Sequence, residues 1–554
     1  MTSRLAELCG FGAEAVETFW RNGLLRPEPP DRLARMVAAY RRYDATPAAG
    51  VAIAAARWPD RTAILDDDGR LTFAELDRRA AALASALHDR FGVRPGHTVA
   101  VMWLNHRGFA EAMAAVSRLG ADLLPLNTGL AGPALRDVLE RESVHTLIAA
   151  PGLPPTGFDG PQTGDLDELI ASAGADEPPA PRRPGRLVLL TSGTTGTPKG
   201  APRRLSLTAL AEPFTSMLAT VPLRSGEPML IAPPLFHGLG LLWYGVALVL
   251  GCPVVLMRRF EPEAVLDALD RHRAGAMVAV PAMLRRLLAG EPRPLPHLRA
   301  VISGGSALRP DLAEEFTRAY GDVLYSLYGS TEAGWATIAT PADLREAPST
   351  VGRPSRGTTV RVAGPGGEEL APGAVGRVFV GGGVTFGGYT GGYTGDSTGG
   401  HTGGSTGGHT GGSTGGSSMG GSTGDDDRTL DGLLSTGDLG HRDEQGRLFI
   451  DGREDDMIVS GGENVFPQEV EDLLARQPQV ADVAVLGVPD DEYGRRLAAY
   501  VVPAPDATPS ADELKQAVRS GLAGYKVPRD VVFVRAVPRN PTGKVDRARL
   551  EESR

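Results

Sequence analysis

Ten residues at 191–200, TSGTTGTPKG, hold three glycines, four threonines, a serine and a lysine. Open backbone N–H groups, hydroxyls and one ammonium are what a row of phosphate oxygens requires. The spacing is not that of the nucleotide loop in which Gly, four residues and Gly-Lys-Ser/Thr follow one another. Here Pro198 stands where the second glycine would be, and Gly200 follows Lys199. Other segments carry acids, a histidine or a lysine among glycines: PPLFHGLG at 233–240, ISGGSAL at 302–308, YGSTEAG at 328–334, STGDLG at 435–440, DGREDDMIVSGGENVFPQEVE at 451–471 and PRNPTGKVDR at 538–547. Taken singly each has an ordinary explanation. Asp438 after Gly437 suits a turn, Glu332 suits a helix start, and His237 suits a buried, hydrogen-bonded ring.

Lysine is scarce. Among 57 basic residues only Lys199, Lys515, Lys526 and Lys544 are lysines. Where arginine supplies most positive charge, a retained lysine marks a place suited to a compact ammonium. Lys199 and Lys544 lie in glycine-containing loops, whereas Lys515 lies on a surface helix and Lys526 suits a structural role as well as a ligand contact.

These segments need rigid elements behind them. The run RLVLL at 186–190 leads into the first glycine loop and reads as a buried strand presenting that loop at its carboxyl end. Similar runs recur at 98–103, 147–150, 229–233, 254–257, 276–280 and 300–305, separated by amphipathic helices such as TFAELDRRAAALASALHDRF. Alternation of this kind implies α/β layers with largely parallel sheets and ligands at the strands' carboxyl ends. The expected architecture is a large α/β N-terminal domain of layered sheets and helices over 1–454, with a helical extension over 1–45, and a small mobile α+β domain over 455–554. A Gly/Thr/Ser-rich insert at 390–424 offers no apolar face, and its His401 and His409 are too few to make a metal site.

A chain of 554 residues exceeds a single core. Its formal net charge of -10 without a basic tract speaks against nucleic acid as a partner. Two cysteines in no motif imply a reducing compartment, and MTSRLAELCG lacks the apolar core of a signal peptide, so a cytoplasmic location is expected. The uncharged stretch at 238–257 is nearly long enough to cross a bilayer, but Gly251-Cys252-Pro253 breaks it. A buried helix, a turn and a short strand are expected there, with no transmembrane span and at most peripheral membrane contact.

In this order the glycine- and acid-bearing segments resemble the adenylate-forming superfamily: acyl-CoA synthetases, luciferases and peptide-synthetase adenylation domains. The resemblance runs from about residue 50 to the C-terminus. It implies that a carboxylate attacks the α-phosphate of ATP to give acyl-AMP and pyrophosphate, and that the thiol of coenzyme A then displaces AMP. By motif position it implies that Thr191, Ser192, Gly193, Thr194, Thr195, Gly196 and Lys199 wrap the phosphates, and that Tyr328 stacks on adenine beside Gly304, Gly305 and Ser306. It places Thr331 on the α-phosphate and Glu332 on Mg²⁺. Asp438 takes the ribose hydroxyls and Arg453 supports ribose and phosphate. Lys544 bridges α-phosphate and substrate carboxylate. Asp455 is the implied hinge, Ser460, Gly461 and Gly462 the thiol tunnel, and His237, Trp243, Gly305 and Gly329 the acyl pocket. Lys544 also has the spacing of a regulatory acetylation site, which implies a lysine acetyltransferase as a partner.

Acetate enzymes of this family resemble one another in carrying a tryptophan where Gly329 stands. That absence, with the apolar helix after His237, leads to the expectation of a medium- or long-chain fatty acid activated with ATP, Mg²⁺ and coenzyme A. The alternatives are an aryl-CoA ligase, a fatty acyl-AMP ligase loading a carrier protein, and a degenerate ATP-binding protein without activity.

Overall fold

The computed structural model describes residues 2–153, 157–174, 178–191, 199–203, 207–330, 334–382, 429–454, 457–460, 463–490, 494–540 and 544–552. Each apolar run quoted above lies on a strand. Thr98–Met102, Val144–Ala149, Asp122–Pro125 and Leu187–Thr191 are parallel members of a six-stranded sheet. Its outer strand Lys199–Arg203 is antiparallel, with Thr191 paired to Lys199. Residues 192–198, between these paired positions, lie outside the described residues.

A second sheet has fourteen strands. One half is parallel, running through Thr62–Asp66, Val254–Val255, Met229–Ile231, Ala276–Ala279, Ala300–Ser303 and Leu324–Ser330. From Leu324–Ser330 onward the pairing turns antiparallel, through Gly334–Ala339, Thr350–Pro354, Leu448–Arg453, Leu433–Arg442, Gly376–Gly382 and Thr358–Ala363. The change of pairing coincides with a register shift between Tyr328 and Gly329. Bulges commonly re-aim a side chain at such places.

The two sheets share the largest core, which includes Val99, Phe109, Met113, Ile231, Trp243, Tyr244 and Ile302. Helix starts are written in the sequence: Thr72 and Glu75 form a capping box at Phe73–Arg90, and Thr340 and Asp343 do so at Pro341–Glu346. The 238–257 stretch resolves into the helix Gly238–Leu250, Gly251 in left-handed conformation (φ 60°) and the strand Val254–Val255. Among the described residues no helix is long and apolar enough to cross a membrane. The N-terminal segment carries the helices Thr2–Arg21 and Pro30–Tyr43.

The C-terminal part builds its own five-stranded sheet from Ile458–Ser460, Glu463–Val465, Val480–Asp490, Gly494–Pro503 and Asp530–Phe533. Pro467–Ala475 and Ala511–Gly521 cover it over a core of Val470, Leu474, Val485, Leu497, Leu514 and Val518.

Gly352 shows how tightly the antiparallel half is bent. Its φ is 89°, and a Cβ there would lie 2.1 Å from the backbone of Ile338 and Ala339. Gly352→Ala should cost about 2–4 kcal/mol by combining strain with overlap. Gly524→Ala, where a methyl meets nothing within 4 Å, is the control. Thermal melting should show a clear loss in the first variant and none in the second.

Candidate active site

The candidate site lies where the large sheet changes from parallel to antiparallel. Tyr328 ends the parallel run, and its hydroxyl donates to Asp438 Oδ2 at 2.6 Å. Asp438 lies on Leu433–Arg442 opposite Arg453 of Leu448–Arg453. Arg453 Nη1 stands 3.4 Å from Asp438 Oδ1. Between them Gly437 has φ 70°, and a Cβ there would meet the Arg453 guanidinium at 2.9 Å. Glycine is thus what lets the arginine close over the acid. Asp438 N–H donates to Thr436 Oγ1 at 3.2 Å, and Thr436 Oγ1 donates to Val378 O at 3.0 Å.

Burial pushes the Asp438 pKa up, against the lowering effects of the Tyr328 hydroxyl, Arg453, Thr436 and Lys544. Burial and then the Asp438 charge push the Tyr328 hydroxyl well above its ordinary value, so Tyr328 stays a donor. A desolvated carboxylate with both oxygens addressed by fixed groups is pre-aimed at hydroxyl donors of a ligand.

Lys544 approaches from the small C-terminal unit. Its backbone closes a turn, with Lys544 N–H on Asn540 Oδ1 at 3.0 Å and Asn540 N–H on Lys544 O at 2.8 Å. Its ammonium is near enough to depress both Asp438 and His237. The two units are therefore arranged with this cation at the site.

His237 is the N-cap of Gly238–Leu250 but makes no side-chain cap bond. Its ring lies 4.6 Å from that of Phe236, and Nε2 is buried without a partner. Burial, then Lys544, lowers its pKa from 6.5 to about 4, which favours the neutral imidazole near pH 7. Beyond it, Leu239 reaches the turn after Ala300–Ser303: a Cβ on Gly304 would lie 3.4 Å from Leu239 Cδ1 and 3.0 Å from Leu327 O. On Gly305 (φ 84°) it would lie 3.5 Å from Val280 Cγ1 and 3.7 Å from Leu239 Cδ2. Leu239 thus lies against both glycine positions and Val280 against the second; Ser306 follows, partly exposed.

Two residues expected in the acyl pocket lie against protein. Trp243 is fully buried in the main core. Gly329 faces backbone: a Cβ there would sit 2.0 Å from Gly334 O, so its small size serves the approach of Gly334–Ala339 and does not widen an acyl pocket. Ser192, Gly193, Thr194, Thr195, Gly196, Thr331, Glu332, Asp455, Gly461 and Gly462 lie outside the described residues, as do the insert at 390–424 and the side chains of Thr191, Lys199 and Ser460. Lys526 is held by Glu469, Nζ to Oε2 at 2.5 Å, which gives it a structural partner within its own unit.

One positioning residue escaped the sequence reading. Asn105 Nδ2 donates to Pro233 O at 2.9 Å and to Ile231 O and Ala232 O at 3.3 Å. Its Oδ1 accepts from Leu235 N–H at 2.7 Å. It ties the loop carrying His237 to the six-stranded sheet. An asparagine just past the carboxyl end of a parallel strand was the available signal.

Comparison with known proteins gives two family matches, the AMP-binding enzyme over residues 51–390 and the AMP-binding enzyme C-terminal domain over 469–544. The chain is 32% identical to an indoleacetate–CoA ligase of Aromatoleum aromaticum, covering 88% of this chain and 94% of that protein. It is 34% identical to a feruloyl-CoA synthase of an Amycolatopsis species, with the same shares covered. In three dimensions it matches the o-succinylbenzoate CoA synthetase of Bacillus subtilis in complex with its acyl-adenylate, with a TM-score of 0.77, 28% identity, and 91% of this chain and 98% of that one covered. That enzyme has also been solved with ATP and a magnesium ion.

The depressed histidine has a measurable signature. A group whose pKa falls on folding contributes stability above its unfolded value, and that contribution is lost as pH falls towards the folded one. For His237 the window runs from 6.5 down to about 4. Its share is at most about 3 kcal/mol, reduced by the ring's partial exposure. His237→Asn should flatten the loss of unfolding free energy between these limits relative to the parent. Parallel curves would mean that the ring titrates normally in the fold.

Proposed function

The chain belongs to the AMP-binding enzyme family, that of AMP-forming CoA ligases, and from that premise we propose that it activates an aromatic or otherwise ring-bearing carboxylic acid with ATP and transfers the acyl group to coenzyme A. The observation that carries this reading is the apolar packing at the turn of Gly304 and Gly305, where Leu239 and Val280 lie within 4 Å of a Cβ built on the glycines, while Trp243, Val246 and Ala247 of the helix after His237 are packed into the core. A flat ring fits against glycine faces and a neutral imidazole. A long alkyl chain would need room along that helix, where Trp243 is fully buried. Relatives that act on indoleacetate and ferulate support the same choice over the fatty acid expected from sequence.

In the proposed reaction one carboxylate oxygen forms a bond to the α-phosphorus of ATP, and the bond to the pyrophosphate oxygen breaks. Asp438 takes the ribose hydroxyls, Arg453 holds Asp438 and offsets phosphate charge, and Tyr328 offers its ring to adenine. Lys544 sits between two anions that repel each other and stabilises charge as it shifts onto pyrophosphate. The coenzyme A sulfur then bonds to the acyl carbon, its proton is lost, and AMP leaves with the electron pair of the acyl–oxygen bond. Thr191, Lys199 and the loop between them are assigned to the β- and γ-phosphates. Glu332 is assigned to Mg²⁺, whose part when bound is to neutralise phosphate charge. Hinge and thiol-tunnel roles remain assigned to Asp455 and to Ser460–Gly462.

Pyrophosphate release should be followed across indole-, phenyl- and cinnamyl-type acids and saturated C2 to C16 acids, with and without coenzyme A. A ring-bearing acid should exceed every saturated chain in kcat/KM by about tenfold or more, the discrimination a few kcal/mol of shape fit supplies. A C12–C16 acid leading the series would restore the fatty-acid reading. Product on a carrier protein but not on coenzyme A would replace the acceptor.

A further inference from the structure

Lys544 reaches the site only if the small unit is held in place. Phe466 packs on Gly452, where a Cβ would lie 2.7 Å from Phe466 Cδ1. A second contact joins the start of one helix to the later half of another. Arg309 is the N-cap of Pro310–Tyr320 in the large unit. Its Nε lies 3.1 Å from Asp311 Oδ1 and 3.9 Å from Asp472 Oδ1 on Pro467–Ala475 of the small unit. The guanidinium is largely buried, with 11% of the side chain exposed. A cation at a helix N-terminus opposes the helix dipole; Arg309 offsets this through its bonds to Asp311 of the same helix and also faces Asp472 of the small unit.

The groups around it explain its presence. Asp311 also faces Arg285 at 3.5 Å, and Asp472 accepts from Gln468 at 2.9 Å. Next to Asp472, Glu471 accepts from Val485 N–H at 2.7 Å, and its pKa is pushed up to about 7 by burial first. The Asp311 charge in turn opposes ionisation of Asp472, whose pKa burial raises. Acids of the two units therefore confront each other across the boundary, with Arg309 as the buried cation between Asp311 and Asp472.

We propose that Arg309 is a positioning residue for adenylate formation: it bridges Asp311 and Asp472, keeps the helix Pro467–Ala475 against the large unit, and so keeps Lys544 beside Asp438 and His237. It touches no reactant. Its effect is confined to the step that uses Lys544, and this rests on the two-step reaction proposed above. Removing one member of a buried charge group leaves the others uncompensated. The neutral double variant should accordingly recover what the single variant loses.

The test uses the full-length protein and separates the half-reactions. Acyl-adenylate formation is measured with the best acid of the panel, and thioester formation with supplied acyl-adenylate and coenzyme A. Arg309→Ala should slow the first step about tenfold or more while the second changes less than about twofold, the scale expected when a catalytic group is misplaced by an ångström or so. Arg309→Lys should keep most of the first step, and Arg309→Ala with Asp472→Asn should regain most of it. Equal losses in both steps, no loss in either, or a double variant no better than the single one would overturn the proposal. Should Arg309→Ala fail to fold, Asp472→Arg carries the same test, with loss in the first step alone expected. Hydrogen exchange of 467–475 in the same proteins is read independently of any acid. It should quicken in Arg309→Ala and not in Arg309→Lys; unchanged exchange would overturn the bridge. An inactive parent protein with that exchange difference intact would instead count against the proposed substrate.

Discussion

A carboxylate withdrawn from water cannot stay charged without partners, and Asp438 has them on both oxygens. Tyr328 donates to one at 2.6 Å and Arg453 faces the other at 3.4 Å. Each partner comes from a different strand: Asp438 and Arg453 face one another on adjacent strands, while Tyr328 reaches Asp438 from a strand separated from Leu448–Arg453 by two others. The register shift at Tyr328 and Gly329 and the positive φ of Gly437 are both parts of this arrangement. The surrounding strands pay for Asp438's desolvation with fixed dipoles, which is also what a ligand with two hydroxyl groups would use.

The second demand on the fold is to bring a cation from the other unit to this acid. Lys544 does so from a turn held by Asn540. A short loop on a small sheet positions the ammonium only as well as the two units are held together. Phe466 over Gly452 and Arg309 between Asp311 and Asp472 contribute to this.

Much of this was legible in the residues, because strands buried on both faces read as short apolar runs. Leu187–Thr191, Met229–Ile231, Ala276–Ala279 and Ala300–Ser303 all lie in such runs. The turn at Gly251 was visible because only a left-handed residue ends the Gly238–Leu250 helix there. Asp438, Arg453, Tyr328 and Lys544 were legible by resemblance. What was not legible depended on distance across the chain. Asn105 and Pro233 are 128 residues apart, and no spacing rule links them. Trp243 looked like tunnel lining because an apolar helix does not say which of its faces meets the core. Gly329 looked like an opening because a missing side chain does not say whether a ligand or a neighbouring strand fills its place.

The central claim is that Asp438, aimed by Tyr328 and Arg453, is where a nucleotide is held while the acid attacks it. Acid-dependent exchange of labelled pyrophosphate into ATP, without coenzyme A, tests it most directly. Asp438→Asn should raise the KM for ATP by about tenfold or more, as expected when a charge-assisted acceptor is lost from a buried site, with the KM for the acid little changed. A variant with the parent's KM for ATP, or with the loss confined to the acid, would contradict the account.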